Sequence, residues 1–160
     1  LTKNKKIGVL GTHATVNSKA YIYAIKELLP DAQVYQQACP LFVPLVEEEI
    51  LSGKVAETVV EETLKNIAQT GIDTVILGCT HYPLLMPKIV KYVNPGVRIV
   101  PQGEYVAESL KSYFCRHPYI ESLCSRGGNV HYLTTENPDK FRESAQIFLH
   151  DHVDVEKIDL

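Results

Sequence analysis

The chain alternates short apolar runs with longer stretches in which apolar side chains recur at helical spacing. This pattern predicts strands over 7–10, 33–38, 74–77, 98–100, 130–133 and 155–158, and helices over 16–29, 44–51, 55–69, 83–93, 103–114 and 138–149. Residues 115–128 show neither pattern and are predicted to form loops. Strands that alternate with helices are typical of a three-layer α/β fold, in which helices cover both faces of a parallel sheet.

Three of these elements carry a more specific expectation. Ser18 is predicted to cap the start of the 16–29 helix, whose apolar stripe would follow from Ala20 to Leu28. Strand 74–77 is apolar throughout, which predicts burial on both of its faces. One face of the 55–69 helix is expected to bury Val55, Val59, Val60, Leu64, Ile67 and Ala68.

Composition narrows the class of protein. The 160 residues suit one domain or slightly more, and the 45% hydrophobic and 22% charged content is ordinary for a soluble globular chain. No apolar run approaches the roughly 18 residues of a membrane helix. The net charge is −3, and the only basic block is Lys3 to Lys6, so we expect neither a nucleic-acid nor a membrane partner.

Cysteine and methionine usage adds two expectations. The four cysteines include no CxxC pair and no loop-rich disulfide spacing, which indicates a reduced, cytoplasmic protein. The only methionine is Met86 and the chain begins at Leu1. We therefore expect either a processed start or a piece of a longer protein.

The best candidate for chemistry is the turn after the 74–77 strand. Gly78 permits a tight turn, and Cys79 then falls at the carboxyl edge of the sheet, where ligands bind in open α/β folds. A helix predicted to start at Pro83 would favour a thiolate nearby, and His81 could exchange a proton with that thiol. Taken singly, Cys79 is explained equally well as a small buried apolar residue and His81 as a helix-capping residue. The four consecutive residues Gly-Cys-Thr-His at a turn from strand to helix favour a functional site instead.

Several chemistries of a reactive cysteine fit poorly. A phosphatase loop requires an arginine where this chain has Leu85. No metal site is expected, because Cys79 and His81 are too close in sequence for the usual zinc pairs, and His150 with His152 fits a solvated turn better. The Gly-Val-Leu-Gly-Thr run from Gly8 lacks the third glycine and the lysine of nucleotide-binding loops. Nucleophilic hydrolysis and proton abstraction remain open.

A family resemblance favours proton abstraction. Residues 75–85, VILGCTHYPLL, resemble the second signature of the cofactor-independent aspartate/glutamate racemase family. A histidine at position 81 resembles the members that act on glutamate as substrate. The members that act on aspartate usually have a Glu residue at this position. Residues 11–16, 38–47 and 137–158 resemble further segments of the family, so the similarity extends from about residue 5 to the end.

The resemblance implies a racemase that needs no cofactor and places two cysteine acid/bases on opposite sides of the substrate carbon. It implies that Cys79 is the second-domain thiol and that His81 assists it. Glu47 would orient that histidine, and Thr80 would bind the substrate carboxylate. Thr12 and Thr15 would also line the substrate cleft. The reaction implied is interconversion of L- and D-glutamate, which supplies D-glutamate for bacterial peptidoglycan.

Cys39 is the alternative for the opposing thiol, because it also follows a predicted strand. The family pattern places it outside the catalytic pair, so we expect a buried structural residue. Cys115 and Cys124 have no partner motif, and no function is assigned to them.

The first half of the family pattern is missing, since the chain contains neither Asp-Ser-Gly near its start nor Cys-Asn-Thr-Ala anywhere. By resemblance, residues 1–98 form the second α/β domain, and residues 99–160 form a C-terminal segment that returns to the absent first domain. The expected partners are glutamate and, as an option, a second copy in a homodimer. Alternatives are a racemase for aspartate or a related acid, and a non-catalytic module that binds a small carboxylate or a protein.

Overall fold

The computed structural model describes residues 1–159, which form two compact units, Leu1–Ala107 and the residues from Glu108 onward. In the first unit, four parallel strands form one sheet in the order β2-β1-β3-β4. The strands are β1 (Lys6–Gly11), β2 (Gln33–Ala38), β3 (Thr74–Leu77) and β4 (Arg98–Pro101). These four strands match the predicted ones to within a residue or two at each end.

The register of the sheet brings the ends of β1 and β3 together. Leu10 pairs with Leu77, and one residue later the Gly78 N–H donates to the Leu10 carbonyl oxygen at 2.7 Å. Strand β3 pairs with β1 on one side and β4 on the other. Its Thr74, Val75 and Leu77 are buried, which confirms the prediction of a strand covered on both faces.

The helix predicted over 16–29 is two helices, α1 (His13–Ser18) and α2 (Ala20–Leu28). Lys19 separates them with a left-handed backbone (φ 56°), which is uncommon for a residue with a side chain and leaves no trace in hydrophobic spacing. Thr12 caps α1 by accepting from the Thr15 N–H, whereas the Ser18 hydroxyl accepts from the Ala20 N–H at the start of α2. The predicted stripe on α2 contains no buried residue, and its Leu28 is 87% exposed.

Three further α-helices complete the first part of the fold: α3 (Phe42–Glu47), α4 (Gly53–Ala68) and α5 (Met86–Tyr92). The inward face of α4 is rotated from the predicted one, because Ala56 is buried while Val55 is 61% exposed. Val60, Leu64 and Ile67 are buried as expected. The predicted 83–93 helix starts as a 3₁₀ turn, Tyr82–Leu85, and becomes α-helical only at Met86.

The core lies between the sheet and the layer formed by α3, α4, the 3₁₀ turn and α5. Strands β1 and β3 contribute Leu10, Val75 and Leu77 to it, and α4 contributes Val60 and Leu64. The helical layer closes it with Phe42, Val46, Tyr82, Leu85 and Ile89. The residues on either side of Cys79, Leu77 and Tyr82, are therefore part of this apolar core, and Cys79 packs against it.

Helix α6 spans Gln102–Arg116, where the sequence predicts a helix over 103–114. Helix α7 spans Pro118–Ser122 and lies within residues 115–128, which are predicted to form loops. The second unit also contains β5 (Tyr132–Thr134), α8 (Pro138–Leu149) and β6 (Val155–Lys157), and β5 pairs with β6 in parallel. Asn137 caps α8 by accepting from the N–H groups of Asp139 and Lys140. Over residues 1–159, none of the helices combines the length and apolar character required to cross a membrane.

Candidate functional site

The candidate site lies where β1 and β3 end side by side. Gly78 follows β3, and a Cβ atom at this position would lie 2.9 Å from the Leu10 carbonyl oxygen and 3.3 Å from the Tyr21 ring. A side chain at position 78 would therefore clash with the backbone of strand β1, which is held in the sheet. The glycine lets the chain turn at the strand end and presents Cys79 at the carboxyl edge of the sheet, where ligands bind in this class of fold.

Cys79, His81 and Glu47 form a chain of contacts. The Cys79 Sγ lies 3.8 Å from His81 Nδ1, and His81 Nε2 lies 3.6 Å from Glu47 Oε1. The two ring nitrogens thus face different groups. A carboxylate beside Nε2 favours a proton there, which leaves the Nδ1 lone pair directed toward the thiol. In this tautomer the imidazole can accept the proton of Cys79.

The helix dipole contributes less at Cys79 than the sequence suggests. The first α-helical residue after the thiol is Met86, because a 3₁₀ turn occupies the predicted first turn of the helix. The effect of a helix terminus falls off within one turn. His81 is therefore the group best placed to influence Cys79.

The predicted substrate-binding threonines fall into two groups. Thr80 is exposed beside the thiol, and its Oγ1 lies 3.4 Å from His81 Nδ1. Thr12 and Thr15 lie after the neighbouring strand β1, where their hydroxyl groups contact each other at 3.1 Å. The Thr15 methyl group approaches the Gly78 turn, so this pair borders the thiol-bearing turn from the β1 side.

A cleft of about 300 Å³ opens beside the thiol. Such a volume is at the lower end of the range for small-molecule sites. Its wall is formed by Tyr21, Leu77, Gly78, Cys79, Thr80, Pro83, Gln102 and Gly103. A hollow of about 410 Å³ on the second unit is larger, but its wall holds no thiol or hydroxyl apart from that of Tyr132. Cys79 and Thr80 make the smaller cleft the candidate site.

Gln102 is a site residue that the sequence analysis missed. Its Nε2 donates to the Leu77 carbonyl oxygen at 2.9 Å and to the Tyr21 hydroxyl group. The side chain thereby ties α2 to the end of β3 and forms part of the cleft wall. The available signal was the position of Gln102, directly after β4 at the same carboxyl edge of the sheet.

The structure confirms the prediction that Cys39 is buried. Its side chain is 1% exposed, and burial raises the pKa of the Cys39 thiol to about 12. A thiol of this kind stays protonated near neutral pH and cannot meet a substrate. Cys115 and Cys124 are exposed. Within residues 1–159, no group of three or more His, Cys, Asp or Glu side chains is arranged to hold a metal ion.

Comparison with known proteins places this site in a family context. Residues 1–110 match the family model described as Asp/Glu/Hydantoin racemase. The chain is 50% identical over 112 residues to a glutamate racemase of a Sulfurihydrogenibium species, an alignment that covers 70% of this chain and 43% of the relative. The alignment thus covers less than half the length of that relative, and alignments to other glutamate racemases cover 57% and 59% of theirs.

Two solved structures share the fold over nearly the whole chain. A glutamate racemase isoform of Bacillus anthracis superposes with a TM-score of 0.89 at 31% identity, covering 100% of this chain and 59% of that one. The glutamate racemase of Francisella tularensis, solved in complex with D-glutamate, gives a TM-score of 0.84 at 31% identity, covering 97% and 58%. The matches confirm the predicted α/β fold of the racemase type.

Proposed function

The chain belongs to the Asp/Glu/Hydantoin racemase family, and from this premise we propose that the complete protein interconverts L- and D-glutamate without a cofactor. The proposal is supported by relatives and structural neighbours that are glutamate racemases, one of them solved with D-glutamate. One observation links the proposal to particular residues: Cys79 lines the cleft, and His81 Nδ1 lies 3.8 Å from its sulfur.

Racemisation requires removal of the Cα proton from one face of the amino acid and delivery of a proton to the other. We assign the first step for L-glutamate to the Cys79 thiolate. The Cα–H bond breaks, the proton passes to the Cys79 sulfur, and the electron pair is delocalised into the carboxylate. A second thiol, supplied by the remainder of the complete protein, then delivers its own proton to the opposite face. The reverse direction exchanges the two roles.

His81 and Glu47 would prepare the thiolate. The imidazole takes the Cys79 proton through Nδ1, and the Glu47 carboxylate stabilises the resulting imidazolium from the Nε2 side. This arrangement separates the charge before the substrate binds, so less rearrangement is needed during proton transfer. Glu47 and His81 thus act through Cys79 as positioning and activating residues.

Thr80 would bind the substrate carboxylate through its hydroxyl and backbone N–H, because it lies beside the thiol on the cleft wall. Thr12 and Thr15 would support the same end of the cleft from the β1 side. The glutamate side chain would extend toward Tyr21 and Gln102, which also line the cleft.

The test is racemisation of L-glutamate in D₂O by the complete protein. We expect D-glutamate that carries deuterium at Cα, and its loss in Cys79→Ser. Cys115→Ser is the matched control, because this exposed cysteine lies outside the site. A complete protein that exchanges the Cα proton of aspartate but not of glutamate would overturn the substrate assignment while leaving the thiol chemistry in place.

The organisation of the complete protein is part of the proposal. We propose that residues 99–160 pack with a first domain through the part that follows β4, because α6 leaves Val106 62% and Leu110 51% exposed. A homodimer is a second way to cover these side chains, and light scattering of the complete protein distinguishes the two. A cytoplasmic location and a role in supplying D-glutamate for peptidoglycan fit the free cysteines and the proposed product.

A further inference from the structure

The side chain of Tyr82 joins the helix that carries Glu47 to the turn that carries His81 and Cys79. It follows His81 in the chain and is fully buried. Its hydroxyl group donates to the backbone carbonyl oxygen of Cys39 at 3.2 Å, and the Phe42 N–H donates to the same oxygen at 3.2 Å. One carbonyl group just before α3 thus accepts hydrogen bonds both from the first residue of the helix and from the tyrosine that follows His81.

Aromatic packing reinforces this junction. The rings of Tyr82 and Phe42 meet edge to face, with centroids 5.2 Å apart and planes at 73°. Such pairs stabilise a fold beyond the area they bury. Phe42 is the first residue of α3, and Glu47 is the last. The contact therefore fixes the helix that carries the carboxylate against the turn that carries the imidazole.

The Glu47–His81 contact needs such support. The carboxylate side chain is 61% exposed, and an exposed ion pair gains little free energy because water competes and two side chains lose freedom. The contact alone would not hold the imidazole in one orientation. A rigid backbone on both sides keeps the two residues within reach of each other, and the contacts of Tyr82 with Phe42 and the Cys39 carbonyl contribute that rigidity.

We propose that Tyr82 is a positioning residue of the racemase, which holds α3 so that Glu47 orients His81 against Cys79. The inference rests on the proposed function for its kinetic consequence, although its structural part can be tested without activity. Burial raises the pKa of the Tyr82 hydroxyl, so that it stays protonated and remains a donor throughout the physiological range.

Tyr82→Phe removes the hydroxyl group and keeps the ring. In the complete enzyme we expect kcat to fall about tenfold with KM unchanged, since a small misplacement of a reacting group is costly. Tyr35→Phe is the matched control, because the Tyr35 hydroxyl donates to Gln33 on its own strand, and β2 holds none of the proposed site residues. It should leave kcat unchanged. An unaltered kcat in Tyr82→Phe, or a change confined to KM, would overturn the proposal.

The double variant with Glu47→Gln separates positioning from a general loss of stability. If both residues act through the orientation of His81, the two losses should not multiply, and the double variant should resemble the worse single variant. Losses that multiply would overturn the proposal, because Tyr82 would then act independently of Glu47.

A measurement on the 160-residue chain needs no activity. The ring resonances of His81 in NMR spectra should shift in the same direction in Tyr82→Phe and Glu47→Gln, and stay in place in Tyr35→Phe. Phe42→Leu provides a second way to weaken the junction should Tyr82→Phe fail to fold, and the same shift is expected. Unmoved His81 resonances would overturn the inference. An inactive wild-type complete protein would overturn the proposed function alone.

Discussion

His81 Nε2 lies 3.6 Å from Oε1 of Glu47, a residue that α3 contributes from a distant part of the chain. The imidazole is largely covered, with 23% of its side chain exposed, whereas the carboxylate is open to water. An imidazolium formed at His81 would therefore receive part of its stabilisation from a partner that salt can screen.

Neutralising Glu47 should slow the complete enzyme. For Glu47→Gln we expect kcat to fall about three- to tenfold, which corresponds to about 1 kcal/mol and suits a partly exposed charge contact. Raising the ionic strength should narrow the difference between wild type and variant, because salt weakens the contact that only the wild type has. Glu48→Gln, one residue along and also exposed, is the control. A variant as active as wild type at low salt would exclude Glu47 from catalysis.

Cys79 should be the most reactive thiol of the chain although it is not the most exposed. The Cys79 proton can pass to His81 Nδ1, 3.8 Å away, and the thiolate that this leaves is the form that reacts with iodoacetamide. Peptide mapping after brief alkylation should show Cys79 modified ahead of Cys115 and Cys124, with Cys39 unmodified. His81→Asn should remove the advantage. Equal rates at the three accessible cysteines would instead support a non-catalytic binding module.

Much of this site follows from the sequence because its parts are local. A buried strand, a glycine and the run Cys-Thr-His lie consecutively, so the position of Cys79 at the sheet edge needs only the parallel order of the strands. The role proposed for Glu47 came from resemblance, and the structure brings this residue of α3 to within 3.6 Å of His81.

Other features depend on tertiary contacts that periodicity does not encode. The left-handed Lys19 that divides α1 from α2 interrupts no apolar pattern. The inward rotation of α4 is set by what it packs against, so small Ala56 is buried in place of the more apolar Val55. Gln102 is one polar residue among many until the fold places its amide between Leu77 and Tyr21.

Gln102 should matter for substrate binding more than for proton transfer. Its amide holds Tyr21 and the end of β3 in place along the cleft wall, whereas it makes no contact with the thiol among the described hydrogen bonds. In the complete enzyme, Gln102→Ala should raise KM for glutamate about three- to tenfold, with a smaller change in kcat. Gln69→Ala, at the exposed end of α4, should leave both constants unchanged. A pure loss of kcat would contradict this assignment.

Asp73 should make the stability of the first unit depend on pH. Partial burial alone would raise the pKa of Asp73, but hydrogen bonds from Thr2, Asn4, Lys3 and Thr74 outweigh it and hold the pKa well below its usual range. Because the folded pKa is depressed, the stabilisation is fully present above the unfolded value of about 3.9 and is lost as pH falls below it.

Asp73→Asn should therefore lower the melting temperature at pH 7 by a few degrees, in keeping with a loss of about 1–2 kcal/mol. The difference from wild type should shrink as the pH is lowered from 4 toward 2. Glu62→Gln is the control, since its exposed carboxylate lies 3.8 Å from exposed Lys65. A difference that stays constant with pH would show that the carboxylate charge contributes nothing.

The 160-residue chain by itself should not racemise glutamate. Two acid/bases must face opposite sides of Cα, and Cys79 is the thiol on the wall of the cleft. Cys39 cannot serve as the second, because it is buried and burial raises its pKa to about 12. We expect incubation of the chain with L-glutamate to produce no more D-glutamate than Cys79→Ser does. Sustained turnover above that control would mean that one thiol, with His81 or water returning the proton, is enough, and the two-thiol mechanism proposed for the complete protein would fall with it.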